Sequence, residues 1–346
     1  MPSHTDWVRG LSPWPKEFGL GRIRALLERL ESPERTFDAV HVVGSNGKST
    51  ATRTIAELSR AAGRRTGAYT SPHVSGWAER IWVDGAEADF ERAVARVRHA
   101  AEELEATQFE ALTAAAFAEF AERGVEVAAV EAGLGGRLDA TNVVDAPVVL
   151  LTNVTREHTE VLGETPEEIA REKLAVAHAA RVVVLPDNTF AHLVPAGEIR
   201  YGGAREAAAA YLGEPIVDRV DVTLPGRLER RNGLVLDGAH TPEAADWLLD
   251  RLEGSDHVLC VSILRDKDAP AILERLARAG NILVATRSSN ERALDEKELA
   301  RHAEPYFQHV ETVADPREAL DRAKALGPHV LVTGSLYLLA DLCSSG

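Results

Sequence analysis

Short apolar runs of strand length alternate along this chain with stretches whose apolar residues recur at helical spacing, the pattern of a parallel α/β architecture. The spacing predicts a first strand over 39–43, a helix over 49–62 closed by Gly63, and a second strand over 66–70. Two alanine-rich helices follow, over 89–106 and 110–123, then two buried strands over 125–131 and 148–154. A further helix covers 165–179. Thr165, Pro166 and Glu168 at its start form a capping box with proline in the first helical position.

After Leu224-Pro225-Gly226 the alternation begins again. Strands near Leu234, His257, Asn281, His309 and His329 are separated by helices, one opened by Asp315-Pro316 and closed by Gly327-Pro328. At 346 residues the chain is longer than one hydrophobic core usually serves, so two domains are expected. Their boundary falls in 218–226, dividing the chain into 1–222 and 223–346. No internal repeat is visible.

Composition narrows the function. Hydrophobic residues make up 45% and charged residues 27%, within the globular range. The net charge of -15 repels nucleic acid and acidic lipid, so neither is expected as a partner, and an anionic substrate must meet a local basic site. Cys260 and Cys343 lie far apart without a CxxC partner, which points to a reducing cytoplasm rather than to a disulfide framework or a zinc site. Neither a signal-peptide run nor a stretch long enough to span a bilayer is seen, and a soluble cytoplasmic protein is expected.

Val42-Val43-Gly44-Ser45-Asn46-Gly47-Lys48-Ser49-Thr50 stands between a predicted strand and a predicted helix. Glycines there let backbone N–H groups curl around phosphate oxygens, the helix N-terminus adds partial positive charge, Lys48 can neutralise the β and γ phosphates, and the Ser49 hydroxyl can hold Mg²⁺. Gly44, Ser45, Asn46, Gly47, Lys48, Ser49 and Thr50 are thus the candidate nucleotide-binding residues. The common G-x-x-x-x-G-K-[ST] spacing would put its first glycine where Val42 stands. The bland alternative is an ordinary glycine turn with an exposed lysine.

The shortened loop resembles the ATP-binding loop of Mur ligases. Tyr69-Thr70-Ser71-Pro72-His73, Glu79-Arg80-Ile81 with Asp84-Gly85, the segment from Gln108 to Ala114, and the long run from Glu131 to Asn142 resemble the folylpolyglutamate synthase/dihydrofolate synthase family of that superfamily. The resemblance covers about residues 17 to 342. It implies a phosphate-loop nucleotide-binding N-terminal domain with a mainly parallel sheet, and a smaller Rossmann-like α/β C-terminal domain. The implied activity is ATP-dependent: a folate or dihydropteroate carboxylate becomes an acyl phosphate, which the amine of glutamate then attacks. ATP, folate or dihydropteroate, and glutamate are the implied small-molecule partners, and a monomer is expected.

Phosphoryl transfer needs concentrated positive charge, which Mg²⁺ supplies through oxygen or imidazole ligands at strand ends. Ser71, Glu131 and His158 each lie just beyond a predicted strand. Singly they read as a turn serine, a strand-end glutamate and a loop histidine. The resemblance makes them ligands of a second Mg²⁺ beside the one at Ser49. It also gives Lys173 as a carbamylated lysine, Arg227 as a phosphate contact, Asp237 as a ribose contact and His240 as a group near the nucleotide. Lys48, Lys173, His158 and Arg227 are the implied catalytic set. Closure of the domains would bring Arg227 in and exclude water.

Three departures from the family pattern stand out. Glu157 replaces an aspartate, Thr241 replaces an asparagine and suits a helix N-cap, and the stretch between Lys173 and Arg227 is short. That stretch lacks an asparagine that helps to bind adenine, with Tyr201-Gly202-Gly203-Ala204 as a remnant. Two alternatives stay open: a Mur-type ligase acting on another carboxylate or amino acid, and a non-catalytic ATP-binding relative.

Overall fold

The computed structural model describes residues 3–15, 17–217 and 219–343. Its contacts divide the chain into two compact units, Met1–Pro72 with Trp77–Val222, and His73–Gly76 with Thr223–Gly346. One position of the expected boundary segment, 218, lies outside the described residues.

The first unit carries eight strands: β1 (Asp38–Val43), β2 (Thr66–Tyr69), β3 (Ile81–Val83), β4 (Ala86–Glu87), β5 (Val127–Glu131), β6 (Val148–Leu151), β7 (Val182–Leu185) and β8 (Glu198–Tyr201). They form one sheet in the order β4-β3-β2-β5-β1-β6-β7-β8. All neighbours are parallel except at the β2-β3 and β3-β4 pairings. Because both faces are covered, the central strands are apolar on both sides rather than alternating. Ile55, Ala56 and Leu58 of the helix Lys48–Ala61 and Ala207 and Ala208 of the helix Ala204–Leu212 pack on one face, against Val40, Val42 and Leu150. Phe117 and Phe120 of the helix Gln108–Glu122 belong to the core on the other face, with Phe37, Val43 and Leu151.

The second unit has six strands: β9 (Glu229–Arg231), β10 (Leu234–Leu236), β11 (Val258–Val261), β12 (Ile282–Ala285), β13 (His309–Thr312) and β14 (Val330–Thr333). Their order is β13-β12-β11-β14-β10-β9, parallel except for β9 at the edge. Val74, carried by the short segment that belongs to this unit, joins a core cluster with Leu236, Leu338 and Leu339. Cys260 is buried in β11 and Cys343 is partly exposed. No helix among the described residues is long and apolar enough to cross a membrane.

Several elements differ from the reading of the sequence, each for a local reason. The strand expected over 148–154 stops at Leu151, because Thr152 and Asn153 turn aside to bond the phosphate loop. The helix expected over 165–179 is α-helical only over Pro166–Leu174 and tightens to 3₁₀ over Ala175–Ala179. The Glu172 carbonyl accepts the N–H of Arg137 at 3.2 Å, which takes it out of the helical ladder. The β3-β4 hairpin, β7, β8, β9 and the helix Ala204–Leu212 were not anticipated.

The helix Gln108–Glu122 is anchored at its start by a capping box: the Glu110 N–H donates to Thr107 Oγ1 at 3.4 Å and the Thr107 N–H donates to Glu110 Oε2 at 2.8 Å. Arg22, from the helix Gly21–Arg29, donates to the same carboxylate at 2.8 Å. Loss of a cap of this type costs about 1 kcal/mol. Thr107→Ala is therefore expected to lower stability by about that amount in urea denaturation; an unchanged midpoint would show that this cap contributes nothing.

Candidate active site

Gly44-Ser45-Asn46-Gly47 joins β1 to the helix Lys48–Ala61, and this turn is braced from the neighbouring strand end. The Ser45 N–H donates to the Asn153 carbonyl at 3.0 Å and the Asn46 N–H to Asn153 Oδ1 at 2.9 Å. Thr152 Oγ1 donates to the Asn46 carbonyl at 2.8 Å, and the Thr155 N–H donates to Ser45 Oγ at 3.0 Å. Gly44 stands at φ +145°, and a Cβ added there would lie 1.9 Å from Thr152 Oγ1, so only glycine fits.

Two ammonium groups meet at this turn. Lys48 Nζ donates to the Gly44 and Ser45 carbonyls at 3.0 and 3.2 Å. Lys173 Nζ donates to the same Gly44 carbonyl at 2.8 Å and to Glu157 Oε1 at 3.1 Å. Lys173 is only 2% exposed. Burial, and then the charge of Lys48, bring its pKa down to about 8, against a smaller opposing pull from Glu157. Burial pushes the Glu157 carboxyl up, but Lys173, Lys48 and a hydrogen bond from Ser45 outweigh it and hold the pKa at about 2. The glutamate that replaces the family's aspartate thus serves as the counter-ion of Lys173.

Glu131 ends β5, and the parallel register sets it beside Val42, at the end of β1. Ser49 Oγ donates to its Oε1 at 3.1 Å, and the backbone N–H of Ser71 donates to its Oε2 at 3.0 Å. Ser71 thus meets the carboxylate through its amide. His158 adopts a left-handed conformation, φ 47° and ψ 42°, and opens the one-turn helix Thr159–Leu162. The donor set fits a hard divalent cation. Two oxygen ligands of one Mg²⁺ stand about 2.9 Å apart in an octahedron, close to the Ser49–Glu131 separation. Among the described residues no three carboxylate, imidazole or thiol groups cluster as a metal site. Mg²⁺ does not need them, because phosphates and waters supply most of its ligands at nucleotide sites.

Behind Glu131, the buried carboxylate of Asp139 accepts the N–H groups of Leu134 at 2.8 Å and Thr141 at 3.0 Å. Burial raises its pKa, and those hydrogen bonds work against the rise. The loop they shape lies on the helix that carries Lys173: a Cβ at Gly136 would come within 2.5 Å of the Lys173 carbonyl. Reasoning from the sequence missed Thr152, Asn153 and Asp139. Their position just past buried strands, where parallel sheets collect binding groups, was the available signal.

In the second unit, Arg227, Asp237 and His240 gather around one turn. Asp237 accepts the N–H groups of Leu228 at 2.7 Å and Ala239 at 2.9 Å, while the Gly238 N–H donates to the Gly226 carbonyl at 3.0 Å. Arg227 Nη1 donates to that same Gly226 carbonyl at 3.3 Å. His240 Nδ1 donates to the Gly238 carbonyl at 2.7 Å. Burial raises the pKa of Asp237; the N–H donors and the Arg227 charge oppose it. Thr241 caps the helix Pro242–Leu249 by accepting from the Ala244 N–H at 3.2 Å, as its sequence context implied.

Residues 42–196 match the Mur ligase middle domain, and residues 226–336 match the Mur ligase glutamate ligase domain. The dihydrofolate synthase/folylpolyglutamate synthase of Mycobacterium tuberculosis is 31% identical to this chain, with 90% of the chain and 84% of the relative covered. The chain belongs to this family of ATP-dependent ligases. A solved Mycobacterium tuberculosis folylpolyglutamate synthase complexed with ADP is similar at a TM-score of 0.88 and 28% identity, over 99% of this chain and 97% of that one. A bifunctional folylpolyglutamate synthase/dihydrofolate synthase from Yersinia pestis, complexed with AMPPNP and a Mn ion, is similar at 0.83 and 26%, over 99% and 98%. The alignment with the first relative runs over 412 positions for a chain of 346, so the folylpolyglutamate synthase/dihydrofolate synthase fold is retained here with segments missing.

Overpacking of a close contact costs about 1–3 kcal/mol. Gly44→Ala is therefore expected to weaken ATP binding about tenfold or more, read by titration calorimetry. Unchanged affinity would show that the loop has room that the Thr152 contact denies it.

Proposed function

We propose that this ligase joins glutamate to a folate or dihydropteroate carboxylate through an acyl phosphate, and that it acts as a monomer in the cytoplasm. The observation that carries this reading is the Glu131 carboxylate, which holds the Ser49 hydroxyl of the phosphate-loop helix on one oxygen and the Ser71 amide on the other. Mg²⁺ bound there supplies charge neutralisation to the transferring phosphoryl group. Ser49 is proposed to hold it, and Ser71, Glu131 and His158 to hold a second ion. Gly44 to Thr50 hold the phosphates through N–H groups, and the Lys48 ammonium, now lying on the loop carbonyls, turns to the terminal phosphate oxygens. Arg227 is proposed to contact phosphate, Asp237 the ribose, and His240 the nucleotide. In Asp237 each carboxylate oxygen already accepts one N–H, which leaves one acceptor position on each.

Lys173 belongs to the same proposal as a carbamate. With its pKa near 8, a substantial neutral fraction exists at mildly alkaline pH. The amine lone pair adds to the carbon of CO₂, an N–C bond forms as one C=O π pair moves onto oxygen, and the nitrogen gives its proton to water. The product carries a negative charge beside Glu157, an arrangement that calls for a second divalent cation. A mass increase of one CO₂ on Lys173, present with bicarbonate and lost in Lys173→Arg, tests it.

The decisive assay is ADP release with dihydropteroate, with tetrahydrofolate and with no carboxylate, each in the presence of glutamate. Release that requires a pteroyl carboxylate and glutamate supports the proposal. Release without any carboxylate indicates an ATPase, and ATP binding without release indicates a binding protein. Lys48→Ala and Glu131→Ala are each expected to lower ligation by more than about a hundredfold, Lys48→Ala with a thermal midpoint near that of the parent. Arg227→Ala is expected to reduce turnover at saturating ATP; an unchanged rate removes Arg227 from the mechanism.

A further inference from the structure

His41 lies in the middle of β1, three residues before the phosphate loop, at 0% exposure. It points to the core face shared by Ala39 and Val43, where apolar side chains otherwise pack. Its Nε2 is 2.9 Å from Thr141 Oγ1. Thr141 gives its single hydroxyl proton to Asp139 Oδ1, so its oxygen can only accept from the ring, and Nε2 must carry the hydrogen. The neutral ring agrees with a pKa brought down to about 4 by burial and the nearby His178. Nδ1 is buried without a hydrogen-bond partner. An unpaired buried acceptor is a cost in stability that an apolar side chain would avoid, so what distinguishes this position is the Nε2–H donor.

That donor opens a chain that converges on a carboxylate: His41 Nε2–H donates to Thr141, Thr141 O–H donates to Asp139 Oδ1, and the Leu134 N–H donates to Asp139 Oδ2. Leu134 belongs to the turn that leaves Glu131. Two residues later Gly136 lies against the Lys173 carbonyl, Arg137 donates its N–H to the Glu172 carbonyl, and its guanidinium pairs with the Glu172 carboxylate at 2.9 Å. One buried chain therefore sets the loop between the carboxylate of Glu131 and the helix of Lys173.

We propose that His41 and Thr141 are positioning residues for the ligation site: through Asp139 they fix the 133–137 loop and hence the placement of Glu131 and Lys173. The inference rests on the ligase reading above and adds to it two residues that touch neither nucleotide nor acceptor. Groups that orient metal-binding side chains in this way typically change metal affinity or activity by about 10–100-fold when removed.

The test uses the full chain and two pairs of variants. His41→Leu removes the donor, whereas His41→Gln places an amide N–H near the position of Nε2; Thr141→Val removes the hydroxyl, whereas Thr141→Ser keeps it. Three quantities are read: thermal midpoint, backbone hydrogen exchange over 133–137, and the Mg²⁺ concentration for half-maximal ADP formation. His41→Leu and Thr141→Val are expected to exchange about tenfold faster in that loop and to need about tenfold more Mg²⁺, with KM for ATP little changed. His41→Leu should melt no lower than the parent, and the Gln and Ser variants should recover most of the parental behaviour. Parental exchange and Mg²⁺ dependence in His41→Leu and Thr141→Val would overturn the proposal, as would Gln and Ser variants as defective as their apolar partners. A parent that forms no ADP with any carboxylate refutes the ligase reading instead, and the exchange measurement still decides whether the chain fixes the loop.

Discussion

A carboxylate held at 2% exposure has to be paired or hydrogen-bonded, because burying it bare would cost several kcal/mol. Glu131 meets that requirement by linking three strand ends. Its own strand lies between β2 and β1 in the sheet. One oxygen takes the Ser71 amide, just past β2, and the other takes the Ser49 hydroxyl, in the helix that follows β1. The parallel register is what makes this possible, since it brings the carboxyl ends of adjacent strands to one edge. Remove the carboxylate, and the phosphate-loop helix and the Ser71 turn lose their shared acceptor. The phosphate-loop helix and the Ser71 turn are therefore tied together by bonds within the first unit.

Charge at this edge opposes the charge of the molecule. The chain carries a net -15, yet Lys48 and Lys173 both donate to the carbonyl of Gly44. Two ammonium groups on one carbonyl repel, and burial first, then this repulsion, lower the pKa of Lys173. Glu157 makes the pair tolerable. It does so as a buried counter-ion, which is worth more than a surface pair because solvent screens it less. Carbamylation would turn the Lys173 group negative and end that repulsion, leaving the Lys48 ammonium as the positive group on the Gly44 carbonyl.

The sequence was most legible where chemistry and secondary structure coincide. The run from Val42 to Thr50 revealed strand, turn and helix together, because glycine, lysine and hydroxyl residues at a strand end have few other uses. Glu131 was legible for the same reason, as the polar end of an apolar strand. It was less legible where an element has few residues or where tertiary bonds decide its end. β9 turns into β10 through Asn232-Gly233, both at positive φ, which is a strong hairpin signal, but three residues of charged strand concealed it. The end of β6 at Leu151 depends on bonds to a loop over a hundred residues earlier, and no local pattern encodes that. Likewise, sequence identifies Ser71 but does not tell that its backbone amide bonds Glu131.

The departures from the family pattern also make physical sense. The first glycine of the longer phosphate-loop pattern would fall at position 42, yet Val42 is still within β1 and packs in the core beneath the helix Lys48–Ala61. A glycine there would remove a buried side chain and weaken the strand. The conformational freedom is needed at Gly44, where the backbone presses against Thr152, and at Gly47, which stands at φ +77° before the helix. Glu157 has one more methylene than the aspartate it replaces, and its carboxylate reaches Lys173 Nζ at 3.1 Å. Thr241, in place of an asparagine, accepts an N–H as the N-cap of a helix that begins with proline. Each of these residues makes a local bond or contact of its own in this chain.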